Sequence, residues 1–173
     1  ALRMRRKGIQ VFIIAPLKGH EFYRAARNVG GEFIQISPAS KNCINIMEIR
    51  KVDNSVNELL DGPTLDASAL AGKIQRLHIF FSLLIPDMSH EEKQLLDEAL
   101  IKTYARKGIT HKNESLTDPQ HPEQYKKMPI LEDVYNVLLE SEDTKRLAHI
   151  LNRLVHGSAS SFNQQTNVDL TNK

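Results

Sequence analysis

Ile9-Gln10-Val11-Phe12-Ile13-Ile14-Ala15-Pro16, followed by Gly19-His20-Glu21-Phe22-Tyr23-Arg24-Ala25-Ala26 and then by Gly30-Gly31-Glu32-Phe33-Ile34-Gln35-Ile36, is the stretch whose reading decides the fold. The first run is short, almost unbroken in apolar residues and rich in β-branched ones, which predicts a strand buried on both faces of a parallel sheet. Ala15-Pro16 ends it, since proline cannot donate to a ladder. From Gly19 the period changes, and Phe22, Ala25, Ala26 and Val29 recur at helical spacing until Gly30-Gly31 supplies a left-handed stop. Phe33, Ile34 and Ile36 then predict a second strand. Strand, helix and strand with short joints make one βαβ crossover, so the expected class is α/β. That reading requires Val11 to Ile14 to be extended.

The flanks of this stretch are less regular. Leu2 to Lys7 resembles the last turns of a helix, with basic residues at the negative end of its dipole and Gly8 past its end. A helix ending there begins before residue 1, which suggests a chain cut from something larger. Downstream, Ser37 to Asn42 is turn chemistry, and Ile44, Ile46 and Met47 form a brief alternating segment. Lys51 to Thr64 is a connector with room for a helical turn at Val56 to Leu60.

Between Leu65 and Gly157 only helices are predicted. The first runs from about Asp66 to Ile85, with Leu70, Ile74, Leu77, Phe81 and Leu84 on one face, Phe80 and Leu83 widening it, and Pro86 closing it. Ser89 with Glu92 forms a capping box opening the second, whose Leu96, Ala99, Leu100, Thr103 and Tyr104 share a side before Gly108 stops it. Residues 109 to 128 are a long polar loop. Pro129 stands at the entry to a third helix with Leu131, Val134, Tyr135, Leu138 and Leu139 on its stripe. Ser141 is placed to cap a fourth, carrying Leu147, Ile150, Leu151, Leu154 and Val155, with Gly157 at its end. Four amphipathic helices can bury their stripes together. The expected organisation is a partial α/β core at 1–50, a helical subdomain of about four helices at 51–156, and a return segment toward the core at 157–173, with a short extended piece near Val168 to Leu170.

Composition narrows the class. The 173 residues are 40% hydrophobic and 25% charged, with a single cysteine, Cys43. One cysteine excludes an internal disulfide framework and a cysteine-built zinc site, and suits a reducing, cytoplasmic setting. No apolar run approaches the ~20 residues of a membrane span. The basic residues before Ile9 imitate a signal peptide, but the apolar run is short and no cleavage pattern follows. Net charge is +2, yet residues 1–50 hold nine Lys/Arg against three Asp/Glu, a balance of +6, while residues 51–156 hold thirteen against seventeen, a balance of −4. The basic charges either only solvate a surface or attract a phosphate-bearing ligand or acidic partner, and the acidic part argues against a nucleic-acid site in the helices.

Candidate chemistry is sparse. Lys18, Glu21 and Arg24 follow the first predicted strand, at the carboxyl edge where α/β sheets bind ligands. There Glu21 would act as acid or base and Arg24 as a phosphate partner, whereas the plainer account is an acidic residue at the favourable dipole end of a helix first turn. No catalytic residue is assigned. The seven histidines show no metal-ligand spacing, so no metal is assigned either. No Gly-Lys-Ser/Thr loop exists to cradle a nucleotide.

The runs Val11–Pro16, Gly19–Arg24, Gly30–Pro38 and Asn42–Met47, then Leu83–Tyr104, Pro129–Tyr135 and Gly157–Leu170, resemble in the same order the VirB-four (TraC/TraE-type) motor ATPases of conjugative type IV secretion systems. The resemblance covers nearly the whole chain. It implies a RecA-like (HerA-like) P-loop NTPase core with an all-helical insertion, in a ring ATPase that uses ATP and magnesium at the cytoplasmic face of the membrane. It implies partners among other subunits of that ring and secretion components. Neither the phosphate loop nor the acidic magnesium strand is present, so the resemblance implies an inactive internal fragment needing no cofactor of its own. Two rivals stand beside it: a self-contained helical adaptor, and a small enzyme built on Lys18, Glu21 and Arg24.

Overall fold

The computed structural model describes residues 2–9, 11–16, 19–37, 40–50, 68–157 and 162–168. Six α-helices occur among them: α1 Leu2–Arg6, α2 Gly19–Asn28, α3 Ala69–Leu84, α4 His90–Arg106, α5 Leu131–Leu138 and α6 Lys145–Val155. Short 3-10 turns at Asn113–Leu116 and Glu142–Thr144 interrupt the loops before α5 and α6.

The expected α/β core is not formed among the described residues. Residues 11–15 and 31–36 carry neither helix nor strand, and the one described β-bridge joins Thr117 to Tyr125 in the loop after α4. The βαβ reading is corrected on this point: of that unit the helix is present and the paired strands are not. A doubly apolar run is stable as a strand when neighbours take its backbone bonds and layers cover both faces. Here Phe12 and Ile14 are 75% and 80% exposed, so nothing described covers them. The helix between them forms as its local signals dictate. Gly30 adopts φ +68°, with Gly31 N–H donating to Ala26 C=O and Gly30 N–H to Arg27 C=O, the paired bonds of a Schellman stop. Tyr23 of α2 packs edge-on against Phe33 with ring centroids 5.3 Å apart.

Residues 68–157 form the helical body. Leu70, Ile74, Leu77 and Phe81 of α3, Leu96, Ala99, Leu100, Thr103 and Tyr104 of α4, Leu131, Val134 and Leu138 of α5, and Leu147, Leu151 and Val155 of α6 are all buried. Their apolar members form one core. Each stripe follows the helical period, so burying it sequesters several side chains at once, each contributing about 1.5–3 kcal/mol. Three details differ from the expected stripes. Leu83 and Leu139 are exposed, and Val137 takes the inward place on α5. Ser141 makes no side-chain cap; the chain instead makes a 3-10 turn and enters α6 at Thr144, whose hydroxyl donates to Leu138 C=O. The expected helix start near Asp66 and turn at Val56 to Leu60 lie outside the described residues.

Helix ends are tied to other elements. Ser68 caps α3 by accepting from Ala71 N–H, while Asn113 accepts from Ala69 N–H. On α4 the capping box is complete: Ser89 Oγ accepts from Glu92 N–H at 3.0 Å, and Glu92 Oε2 accepts from Ser89 N–H at 2.9 Å. The free oxygen of Glu92 takes Arg146 Nη1 from α6 at 2.7 Å, and Asp87 takes Nη2 at 2.6 Å. The Ser89 N–H, then the Arg146 guanidinium, hold the Glu92 carboxyl below its usual range. A depressed folded pKa means this support is present above the unfolded value of about 4.3 and is lost as pH falls through the folded one. Ser89→Ala is expected to cost about 1 kcal/mol, read as a lower urea midpoint at unchanged m-value.

The α4 stop at Gly108 repeats the motif of α2: φ is +69°, Gly108 N–H donates to Ala105 C=O, and Ile109 N–H to Tyr104 C=O. Ile109 is fully buried, the apolar contact that accompanies such stops. On α5 the first turn is half capped, because Asp133 accepts from Ile130 N–H at 2.8 Å but the Ile130 side chain has nothing to return.

Candidate functional site

The most elaborate polar arrangement among the described residues is a clamp between residues 41–50 and 163–167. Residues 43, 45, 47 and 49 are buried in strict alternation. Met47 and Ile49 enter the core of the helical body, and Tyr104 of α4 donates its hydroxyl to Met47 C=O at 2.5 Å. The expected alternation of Ile44 and Ile46 has the opposite phase: a one-residue shift exchanges the faces, so these isoleucines lie half-buried.

Polar residues of the return segment hold this alternation in register. Asn167 accepts from Cys43 N–H at 2.7 Å, donates its own N–H to Cys43 C=O at 3.2 Å, and donates Nδ2 to Lys41 C=O at 2.7 Å. Thr166 Oγ1 accepts from Asn45 N–H at 2.9 Å and donates to Glu48 Oε2 at 2.6 Å. The same Glu48 oxygen takes Arg50 Nε and Nη2 at 3.1 and 3.0 Å. Gln165 donates to Met128 C=O at 2.7 Å, and Asn163 accepts from Glu132 N–H at 2.8 Å.

Asn45 sits at the centre, only 2% exposed. It donates Nδ2 to Pro129 C=O at 2.9 Å and to Gln165 Oε1 at 3.3 Å, and accepts from Met47 N–H at 3.0 Å. No buried side-chain nitrogen or oxygen among the described residues lacks a partner. Cys43 is buried, with its thiol directed to Gln164 Oε1 at 3.5 Å. The clamp is chemically suited to holding the N-terminal segment against the helical body.

The sequence-predicted site residues are elsewhere. Glu21 and Arg24 lie exposed on α2, the former in its first turn, and neither takes part in the clamp; Lys18 lies outside the described residues. The residues do not fit a magnesium-nucleotide site. The sequence has no phosphate loop, and among the described residues no group of three or more His, Cys, Asp or Glu is placed to hold a metal ion. No described helix is long and apolar enough to cross a membrane. Sequence reasoning missed the roles of Asn45, Gln165 and Thr166. Their only advance signal was the concentration of amide and hydroxyl side chains after Phe162.

Against solved structures, the fold matches VirB4 of Thermoanaerobacter pseudethanolicus with a TM-score of 0.75 and 26% sequence identity, over 99% of this chain. The chain resembles part of VirB4. It spans 42% of that VirB4 chain, so the likeness is to less than half of the larger molecule. No protein-family model matches, and comparison with curated proteins gave no match. The order of segments that resembled this family in the sequence is thus matched by a three-dimensional likeness to VirB4 in which the helical body and the clamp lie within the shared length.

Proposed function

We propose that this chain is a portion of a VirB4-type ATPase that powers conjugative DNA or protein transfer through a type IV secretion system. Its phosphate loop and magnesium-associated acidic strand lie in sequence beyond this portion. The observation that carries the reading is the likeness to VirB4 at TM-score 0.75 over 99% of the chain. The exposed Phe12, Ile13 and Ile14 support it, because the RecA-like core implied by the family would pair and cover such a run. On this reading residues 1–50 belong to that core, 51–156 are its helical insertion, and 157–173 return to it. The insertion meets neighbouring ring subunits or secretion components through its acidic surface, and the whole works at the cytoplasmic face of the membrane. Lys18, Glu21 and Arg24 lie toward the nucleotide side, with magnesium and the phosphates held by residues outside this chain.

Calorimetric titration of ATP and magnesium into the purified chain is the test of this division of labour. The expected result is no magnesium-dependent binding in the micromolar range, since the phosphates have no cradle. Micromolar, magnesium-dependent binding would overturn it and favour a self-sufficient enzyme. The adjoining coding sequence checks parentage directly: a Gly-Lys-Ser/Thr loop upstream is expected, and a native start codon at residue 1 would sink the proposal.

A further inference from the structure

Helix α3 carries a second stripe besides the one it buries. Leu70, Ile74, Leu77 and Phe81 face the core at 4-3-4 spacing, and Gly72, Arg76, Ile79 and Leu83 repeat that spacing two residues later. Two residues turn a helix by about 200°, so the second stripe lies on the opposite side. Ile79 and Leu83 are 64% and 79% exposed, the most open large apolar side chains of residues 68–157. From Leu77 to Pro86 the chain has no Asp, Glu, Lys or Arg to hydrate that side. At Gly72, on the same stripe, a side chain would meet nothing within 4 Å. A helix apolar on two sides is suited to being covered on both.

The charges at its two ends indicate the cover. Arg76 stands exposed before Ile79 and has no hydrogen-bond or ion-pair partner among the described residues. Asp87 stands just past the end of α3, its side chain 75% exposed, with Oδ2 taken by Arg146 and Oδ1 unused among the described residues. Along the helix the order is thus cation, Ile79, Leu83, anion. Read backwards, that order is its own complement, as a two-fold contact between identical surfaces requires. An antiparallel pairing about an axis near Phe81 sets Ile79 of one copy against Leu83 of the other, and brings each Arg76 to the end where the other copy has Asp87. We propose that the outward face of α3 docks a second copy of this chain, helix against antiparallel helix. One helix pair buries less than the usual ~800 Å² per partner, so the dimer is weak and reversible. The inference is independent of the parentage proposed above.

Sedimentation velocity of the full chain over a concentration series tests this. The expected result is a reversible monomer–dimer equilibrium with a Kd of about 10 μM to 1 mM, stopping at two copies because a two-fold contact closes on itself. Leu83→Glu should abolish the dimer, since it would bury an unpaired carboxylate between the helices. Arg76→Glu should weaken it by about tenfold, since it sets two anions together at each end. Both residues are exposed, so both variants should keep the wild-type far-UV circular dichroism. Ile14→Lys, on the other exposed apolar run, should dimerise as the wild type does. A chain that stays monomeric up to about 1 mM would overturn the proposal and leave this face to a different partner or to another part of a longer chain. Association beyond the dimer, association lost in Ile14→Lys, or a dimer that Leu83→Glu or Arg76→Glu leaves unchanged would overturn it equally.

Discussion

Tyr104→Ala is expected to destabilise the chain by about 3–5 kcal/mol, the largest effect of any single substitution argued from this fold. The ring is 0% exposed, so truncation removes its packing and leaves a cavity where α4 meets the clamped segment. The hydroxyl adds a second loss, because Met47 C=O, itself buried, receives it at 2.5 Å. Tyr104→Phe separates the two: it keeps the ring and should cost only about 1–2 kcal/mol. Urea denaturation of the wild type and both variants measures this, and equal losses for Phe and Ala would show that the cavity had closed at no cost. Total stability for domains of this kind is about 5–15 kcal/mol, so the alanine variant stands close to unfolding.

The pH dependence offers an independent readout of the same contact. Burial raises the Tyr104 phenol above its ordinary value of 10.0. Because the folded value lies above the unfolded one, the contribution is fully present below about pH 10 and is lost as pH rises through the folded value. Tyr104→Phe lacks that titration. Its stability deficit relative to wild type should therefore shrink at alkaline pH.

The helical body was legible because its signals are local. The five inward residues of α4, the capping box of Ser89 and Glu92, and the stops at Gly30 and Gly108 each depend on neighbours within two turns, and each stands in the structure as the spacing predicts. Leu139 misled at a helix end, where the chain leaves the stripe and Val137 takes the inward position. The strands at Ile9–Ile14 and Phe33–Ile36 misled for the opposite reason. An apolar run states a need for burial on two faces, but the partners that would meet the need are not specified by the run itself. The clamp was invisible for the same reason, since the groups that satisfy Asn45 lie 84 and 120 residues along the chain. An asparagine between two isoleucines looks like the outward member of an alternating segment. Its satisfied amide, and not its hydropathy, decides that it points in.

Asn45→Ala should accordingly be costly for a residue so small, by about 2–4 kcal/mol, the sum of two buried backbone groups left without partners at about 1–2 kcal/mol each. Those groups are Met47 N–H and Pro129 C=O, both on buried residues. Gln165→Ala should cost less, because Gln165 is half-buried and its own bond to Met128 C=O is the main loss. The two substitutions share the 3.3 Å contact between Asn45 Nδ2 and Gln165 Oε1, so the double variant should lose less than the sum of the singles. Strict additivity would show that this contact carries no energy. Hydrogen exchange then locates the damage. Cys43 and Asn45 N–H donate to Asn167 and Thr166, and Asn167 N–H returns to Cys43, so these three amides should exchange faster together in Asn45→Ala. Amides within α4, which take no bond from the clamp, should change only as far as global stability does. If the three clamp amides also follow the global change alone, the clamp has no independent opening and residues 41–48 unfold with the helices as one unit.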